Sequence, residues 1–126
     1  MARANRASGE KPLIWAGSSK KIFLKFPDQV IYDISMALSV AQYGGKHPKA
    51  KSWKGEGAGV FEIVENFNKD TYRAVYTVRF AKAVYVLHTF QKKSPQGIKT
   101  ARTDVELIVQ RLKDVEKDYK DHYGKD

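Results

Sequence analysis

Three apolar-rich runs follow one another between Val60 and Gln91, joined by linkers of hairpin length, and this spacing constrains the chain more than any other feature. Val60 to Glu65 alternates Phe61 and Ile63 against Glu62. Tyr72 to Phe80 alternates Tyr72, Ala74, Tyr76, Val78 and Phe80 against Arg73, Val75, Thr77 and Arg79, and Val84 to Gln91 is nearly all apolar. Linkers 66–71 and 81–83 leave room only for tight connections, so the three runs form an antiparallel meander. The continuous run Val84 to Phe90 belongs in the sheet interior, because burial on both faces suppresses alternation. Ser94-Pro95-Gln96-Gly97 breaks that strand.

Upstream, Leu13-Ile14-Trp15 reads as a short strand closed by Ala16-Gly17-Ser18. Ser18 or Ser19 caps a helix through Lys20, Ile22, Phe23 and Phe26; Pro27 interrupts it and Asp28 restarts it. Ile31, Ile34, Leu38 and Ala41 then recur at steps of three and four until Gly44-Gly45. Residues 46–59 have no periodicity and are dense in Gly and Lys, which reads as a long loop. Thr103-Asp104-Val105-Glu106 has the pattern of a capping box and predicts the start of a last helix, with Val105, Ile108, Leu112, Val115 and Tyr119 as its stripe. Residues 1–11 lack apolar periodicity and read as a disordered basic tail ahead of a single domain over 12–126. The expected order is β-α-α-β-β-β-α, an α+β domain with helices packed against a small, mostly antiparallel sheet.

At 126 residues the chain suits one compact domain, and its lack of cysteine removes thiolate zinc sites, iron–sulfur clusters and thiol catalysis. No apolar run approaches the roughly 20 residues of a membrane span, and the first residues have no apolar secretory core. The expectation is a cytoplasmic protein with no membrane partner. The formal net charge of +9 is unevenly spread. Residues 1–54 hold ten basic and three acidic groups and residues 83–103 hold four basic and none acidic, whereas 104–126 hold five and seven. Such a field favours a polyanion, because each phosphate neutralised by Lys or Arg releases counterions.

Three constellations could act on one. Lys46, His47, Lys49, Lys51, Trp53 and Lys54 contain no acid, so the lysines can follow a phosphate backbone while Trp53 either stacks on a base or packs back onto the sheet. At the end of the third meander run, period-two geometry puts His88, Phe90 and Lys92 on one face and Lys93 on the other unless a bulge intervenes. These residues offer a titratable group, a stacking ring and a phosphate clamp, or else a hydrogen-bonded core histidine beside lysines that discourage edge pairing. Arg73 and Arg79 share a face of the middle run. One is expected to pair with Glu62 or Glu65 and the other to meet a ligand, since a guanidinium among apolar neighbours needs a carboxylate or a phosphate.

Other chemistries find no purchase. His47, His88 and His122 are too far apart in sequence for a local metal motif, and no metal or cofactor is expected. GxxxxGK[ST], GxGxxG and GxSxG motifs are absent; Gly55, Gly57 and Gly59 precede a strand instead of following one.

The segments Gly59-Val60-Phe61-Glu62-Ile63, Tyr72-Arg73-Ala74-Val75-Tyr76 and Val84 through Phe90-Gln91-Lys92-Lys93-Ser94, in this order and spacing, resemble the phage-derived HigB-like branch of the RelE toxin superfamily. The likeness runs from about Trp15 to Leu112. It implies a RelE-like fold and the toxin of a type II toxin–antitoxin pair: an endoribonuclease that enters the ribosomal A site, cuts mRNA without a metal, and is held in a hetero-oligomer by a helix-turn-helix antitoxin. By that resemblance Arg73, Lys92 and Lys93 match the basic residues that face the scissile phosphate. His88 is the candidate base or acid, a role a lysine takes only if burial and neighbouring cations lower its pKa. Lys46, Lys49, Lys51, Trp53, Lys54, Arg79 and Phe90 are the candidate RNA contacts. Many members of the superfamily carry a site tyrosine near the C-terminus; Tyr119 and Tyr123 stand on a charged helix instead, so that role is not carried over. The competing reading is a noncatalytic basic domain that binds nucleic acid or the ribosome.

Overall fold

The computed structural model describes residues 9–55, 57–92 and 101–124. In chain order its elements are β1 (Leu13–Trp15), α1 (Ser19–Phe23), α2 (Asp28–Gln42), β2 (Ala50–Ser52), β3 (Val60–Phe67), β4 (Asp70–Thr77), β5 (Val84–Lys92) and α3 (Arg102–Tyr123). The fold is α+β, with a five-stranded sheet of order β1-β5-β4-β3-β2 between α1 and α2 on one face and α3 on the other. The meander β3–β4–β5 is antiparallel and β1 pairs parallel to β5.

The β3–β4 hairpin is tighter than its sequence suggests. Phe67 pairs with Asp70, so only Asn68 and Lys69 turn the chain, at φ of 49° and 70°. Two consecutive left-handed residues match the twist of the flanking strands, and Asn tolerates that conformation well. β4 stops at Thr77, short of the expected Phe80. The expected loop over 46–59 contains a strand, β2, whose Ala50 is buried opposite Ile63 while Lys51 and Ser52 stay exposed. A three-residue edge strand with one apolar residue has too short a period to stand out in a sequence.

β5 lies between β1 and β4, which explains its unbroken apolar run. Val84 and Val86 pack under α1 and α2 with Phe23, Val30, Ile34 and Leu38. Tyr85 and Leu87 pack under Ile108, Leu112, Val115 and Tyr119 of α3. Each such side chain taken out of water contributes about 1.5–3 kcal/mol. A bulge interrupts the β4–β5 ladder: Val75 pairs with His88 and Tyr76 with Val86, leaving Leu87 as the extra residue. Leu87 and His88 therefore lie on the same face, and the side-chain phase shifts by one at this point.

Helix ends also differ from expectation. α3 starts at Arg102 after Ala101, and neither it nor α1 has a side-chain cap. The groups expected to cap are engaged elsewhere: the Glu106 carboxylate accepts from Arg102 Nε at 3.1 Å, and the Ser18 hydroxyl accepts from Arg111 Nη2 at 3.2 Å. α2 ends as expected, with Gly44 at φ +88° and the amides of Gly44 and Gly45 donating to Ala41 and Val40. Of the expected basic tail over 1–11, residues 1–8 lie outside the described residues, as do Lys93 and the 94–97 breaker. No helix among the described residues is long and apolar enough to cross a membrane.

Candidate nucleic-acid interface

On the face covered by α3, the β4–β5 register sets Thr71 opposite Lys92, Arg73 opposite Phe90 and Val75 opposite His88. Alternation on β4 and the bulge on β5 bring Arg73, His88, Phe90 and Lys92 to that one face. α3 packs on the β5 side of it. Toward β2 and β3 the face opens to solvent, with Lys51 exposed and Glu62 and Val64 half-buried.

Arg73 is only 7% exposed, so its guanidinium needs a counter-charge, and Nη1 donates to Glu62 Oε2 at 3.3 Å. Lys92 is half-buried beside it. Burial first, then the positive charge of Arg73, hold its ammonium below the ordinary lysine range, while Asp104 and Glu62 pull the other way. Two cations and two carboxylates thus lie within electrostatic reach of one another at the strand end.

His88 sits at the inner side of this group. Its Nε2 is 2.7 Å from Asp104 Oδ1, and its ring stacks on Phe90 with centroids 4.7 Å apart and planes 16° from parallel. Arg111 Nη1 lies 3.4 Å from Nδ1 and also donates to the Leu87 carbonyl at 2.9 Å. Arginine only donates, so Nδ1 must accept; the proton is therefore on Nε2 and goes to the carboxylate. Burial pushes the imidazole pKa down, the Asp104 bond works against this, and the Arg111 charge adds to the lowering.

The remaining candidates, all expected at an RNA surface, are dispersed. Lys51 shares the face of Arg73, in register with Glu62. Lys54 is exposed in the turn after β2. Trp53 is buried with α3 and Val60, its indole so close to Gly55 that a Cβ there would lie 2.4 Å from the ring. Phe90 is likewise buried, under His88. Lys46 lies over the Phe61 ring at 5.7 Å, and Lys49 Nζ meets Glu65 Oε1 at 2.8 Å, both on the α2 side of the sheet. The bond to Glu65 raises the Lys49 pKa. Arg79 is beyond the end of β4, where its Nε donates to the Ala58 carbonyl at 2.9 Å. β4, which carries Arg73, ends two residues before Arg79. Tyr119 and Tyr123 stack on each other, with Tyr119 also against Phe80, as packing groups of α3.

Asp104 and Arg111 are the residues of this cluster that no sequence motif marks. A signal for them exists: they fall four residues before and three after Ile108, in line with the apolar stripe of α3, so two opposite charges stand at inward positions. Among the described residues no group of three or more His, Asp or Glu side chains could hold a metal ion.

No curated protein matches the chain in sequence. A chain in the crystal structure of the toxin–antitoxin complex RelBE2 from Mycobacterium tuberculosis aligns over 71% of this chain and 100% of that one, at 15% identity and a TM-score of 0.42. Residues 21–113, which run from α1 into α3 and include Glu62, Arg73, His88, Lys92, Asp104 and Arg111, match the model of the family described as phage derived protein Gp49-like, and the chain belongs to that family, a toxin family of the RelE/HigB type.

Proposed function

We propose that this chain is the toxin of a type II toxin–antitoxin pair, a metal-independent endoribonuclease that cuts mRNA in the ribosomal A site and is neutralised by a helix-turn-helix antitoxin. The observation that carries the reading is the cross-strand grouping of Arg73 and Lys92 on one sheet face, beside Glu62 and Asp104, where that face opens to solvent. Membership of a RelE/HigB-type family supports the toxin assignment.

In the reaction the 2′-OH of the substrate attacks the adjacent phosphorus and the P–O5′ bond breaks, leaving a 2′,3′-cyclic phosphate and a 5′-OH. The protein must remove one proton, supply another and stabilise the extra negative charge on the phosphorane. Arg73, buried against Glu62, supplies a fixed positive charge for the phosphate at this face, and Lys92 adds a point charge beside it. Lys93, assigned with them by resemblance, is outside the described residues. Lys51, exposed on that face, and Lys54, exposed in the turn after β2, extend the basic surface for the flanking strand.

The test is induced expression in a bacterial host without the antitoxin, with growth followed and mRNA ends mapped. Wild type is expected to arrest growth and to create new 5′-OH ends. Arg73→Ala and Lys92→Ala are expected to relieve arrest, each lowering cleavage by about 100-fold. Undiminished growth with intact mRNA refutes the nuclease reading; salt-dependent RNA affinity in that same protein would then mark a noncatalytic binding domain.

A further inference from the structure

We propose that Asp104 is the proton-accepting group of the cleavage site, and that His88 is not its acid or base but the neutral positioning residue that holds it. This assignment rests on the nuclease reading and names the residue that performs its proton step.

Three observations converge on it. The first is occupancy: both ring nitrogens of His88 are engaged, Nε2 with Asp104 at 2.7 Å and Nδ1 facing Arg111 at 3.4 Å, while its faces are closed on one side by Phe90. An imidazole has no third site with which to take a proton from a substrate. Protonation at Nδ1 would set an N–H against a guanidinium that Leu87 and Ser18 hold in place. The second is access. The His88 side chain is 6% exposed and that of Asp104 25%, so the carboxylate is the more accessible member of the pair. The third is placement. Asp104 acts electrostatically on Lys92, which also feels Arg73 and Glu62, so the carboxylate belongs to the same cluster as the candidate phosphate contacts.

This geometry divides the labour. His88 Nε2–H occupies Oδ1 and thereby fixes the carboxylate plane, leaving Oδ2 as the oxygen with free lone pairs. As the O2′–P bond forms, Oδ2 takes the 2′-OH proton. As the P–O5′ bond breaks, the Lys92 ammonium gives a proton to the departing 5′ oxygen. The site then holds a carboxylic acid and an amine, and one proton passes from the first to the second, directly or through water, to restore it. Burial and Arg73 make that ammonium a stronger acid than an ordinary lysine. The groups facing Asp104 in this scheme are His88 and Lys92 from β5, with Arg73 and Glu62 across the face and Arg111 behind His88.

Asp104→Asn and His88→Gln provide the test, because each keeps one hydrogen bond of the pair and changes one charge-bearing group. Asparagine still accepts from Nε2 through its amide oxygen, and glutamine still donates through an amide near the Nε2 position. Cleavage of a ribosome-bound message is measured against pH, with thermal midpoint and RNA affinity measured on the same samples. Asp104→Asn is expected to lower the cleavage rate at least 100-fold and abolish the acidic limb of the pH profile, with midpoint and affinity little changed. His88→Gln is expected to lose less than about tenfold and to keep that limb. Cleavage by Asp104→Asn within threefold of wild type overturns the proposal and leaves Asp104 a pin for α3. An acidic limb that survives Asp104→Asn but disappears in His88→Gln overturns it in favour of the imidazole. Wild type that binds RNA yet never cuts it refutes the nuclease reading itself, a result distinguishable from both.

Discussion

Acidification distinguishes two descriptions of the His88–Asp104 contact that its 2.7 Å length alone leaves equal. If the pair were an imidazolium–carboxylate salt bridge, the folded pKa of His88 would stand above the unfolded value of about 6.5, and lowering the pH would stabilise the fold. Burial and Arg111 instead hold it below that value. The unfolded chain then binds more protons than the folded one as pH falls through about 6.5, so stability declines with acidification and recovers with base. One proton bound only in the unfolded state is worth at most about 1.4 kcal/mol between about pH 7.5 and about pH 5.5. With a urea slope near 2 kcal/mol/M that limit is a shift of roughly 0.7 M in the unfolding midpoint. The carboxylates elsewhere in the chain also respond to acid, so the informative quantity is the difference between wild type and His88→Gln at each pH. Wild type should lose more stability than the variant over this window. Equal losses, or a wild type that gains relative to the variant, would refute the neutral tautomer and with it the positioning role of His88.

Other perturbations test the same framework. Gly17 has φ +50°, and a Cβ there would lie 2.8 Å from Arg111 Nη2, so Gly17→Ala meets both a left-handed backbone and a guanidinium pinned by Leu87 and Ser18. A loss of about 2 kcal/mol in urea unfolding is expected, and Gly17→Ala as stable as wild type would show that Arg111 yields. Trp53→Ala should lose about 3–5 kcal/mol because its indole is buried with Val60 and α3, whereas Trp53→Phe should keep both the fold and RNA affinity. Normal stability combined with lost RNA binding in Trp53→Phe would make the indole a base-stacking group. Lys51→Ala should lower the slope of RNA affinity against salt by about one counterion, and Lys49→Ala, removed on the α2 side and tied to Glu65, should leave it unchanged.

The parts of the fold that were legible are those governed by local pattern. The three strand runs, the α2 stripe ended by Gly44-Gly45 and the α3 stripe from Ile108 to Tyr119 all express a period that burial imposes on one face of an element. Local signals fail where tertiary partners override them. Thr103 and Glu106 carry the spelling of a capping box, but α3 begins one residue earlier at Arg102, whose side chain takes the Glu106 carboxylate, while Asp104 turns to the buried His88 imidazole. Residues 50–52 have almost no strand pattern of their own and pair because β3 offers them an open edge.

The site was legible by a different route and to a different depth. Arg73 and Lys92 stand out as cations in otherwise apolar strands, and Glu62 could be named as a partner because adjacent strands of a meander must pair. Their grouping depends on the bulge at Leu87, an extra residue that resets which side chains share a face and that nothing in Val84 to Lys92 marks. Asp104 and Arg111 come from an element not adjacent to β5 in any local pattern, and they converge on His88 only after α3 has packed. Their placement has a physical logic of its own. A lone charge on the inward stripe of a helix would oppose folding, but here Arg111 is satisfied by Leu87 and Ser18 and Asp104 by His88, so the apolar packing of Ile108 and Leu112 can proceed around them. The contacts that neutralise the cost of burying these two charges are the same contacts that fix the tautomer of His88 and the orientation of the Asp104 carboxylate, so docking α3 and ordering the charged cluster are one event.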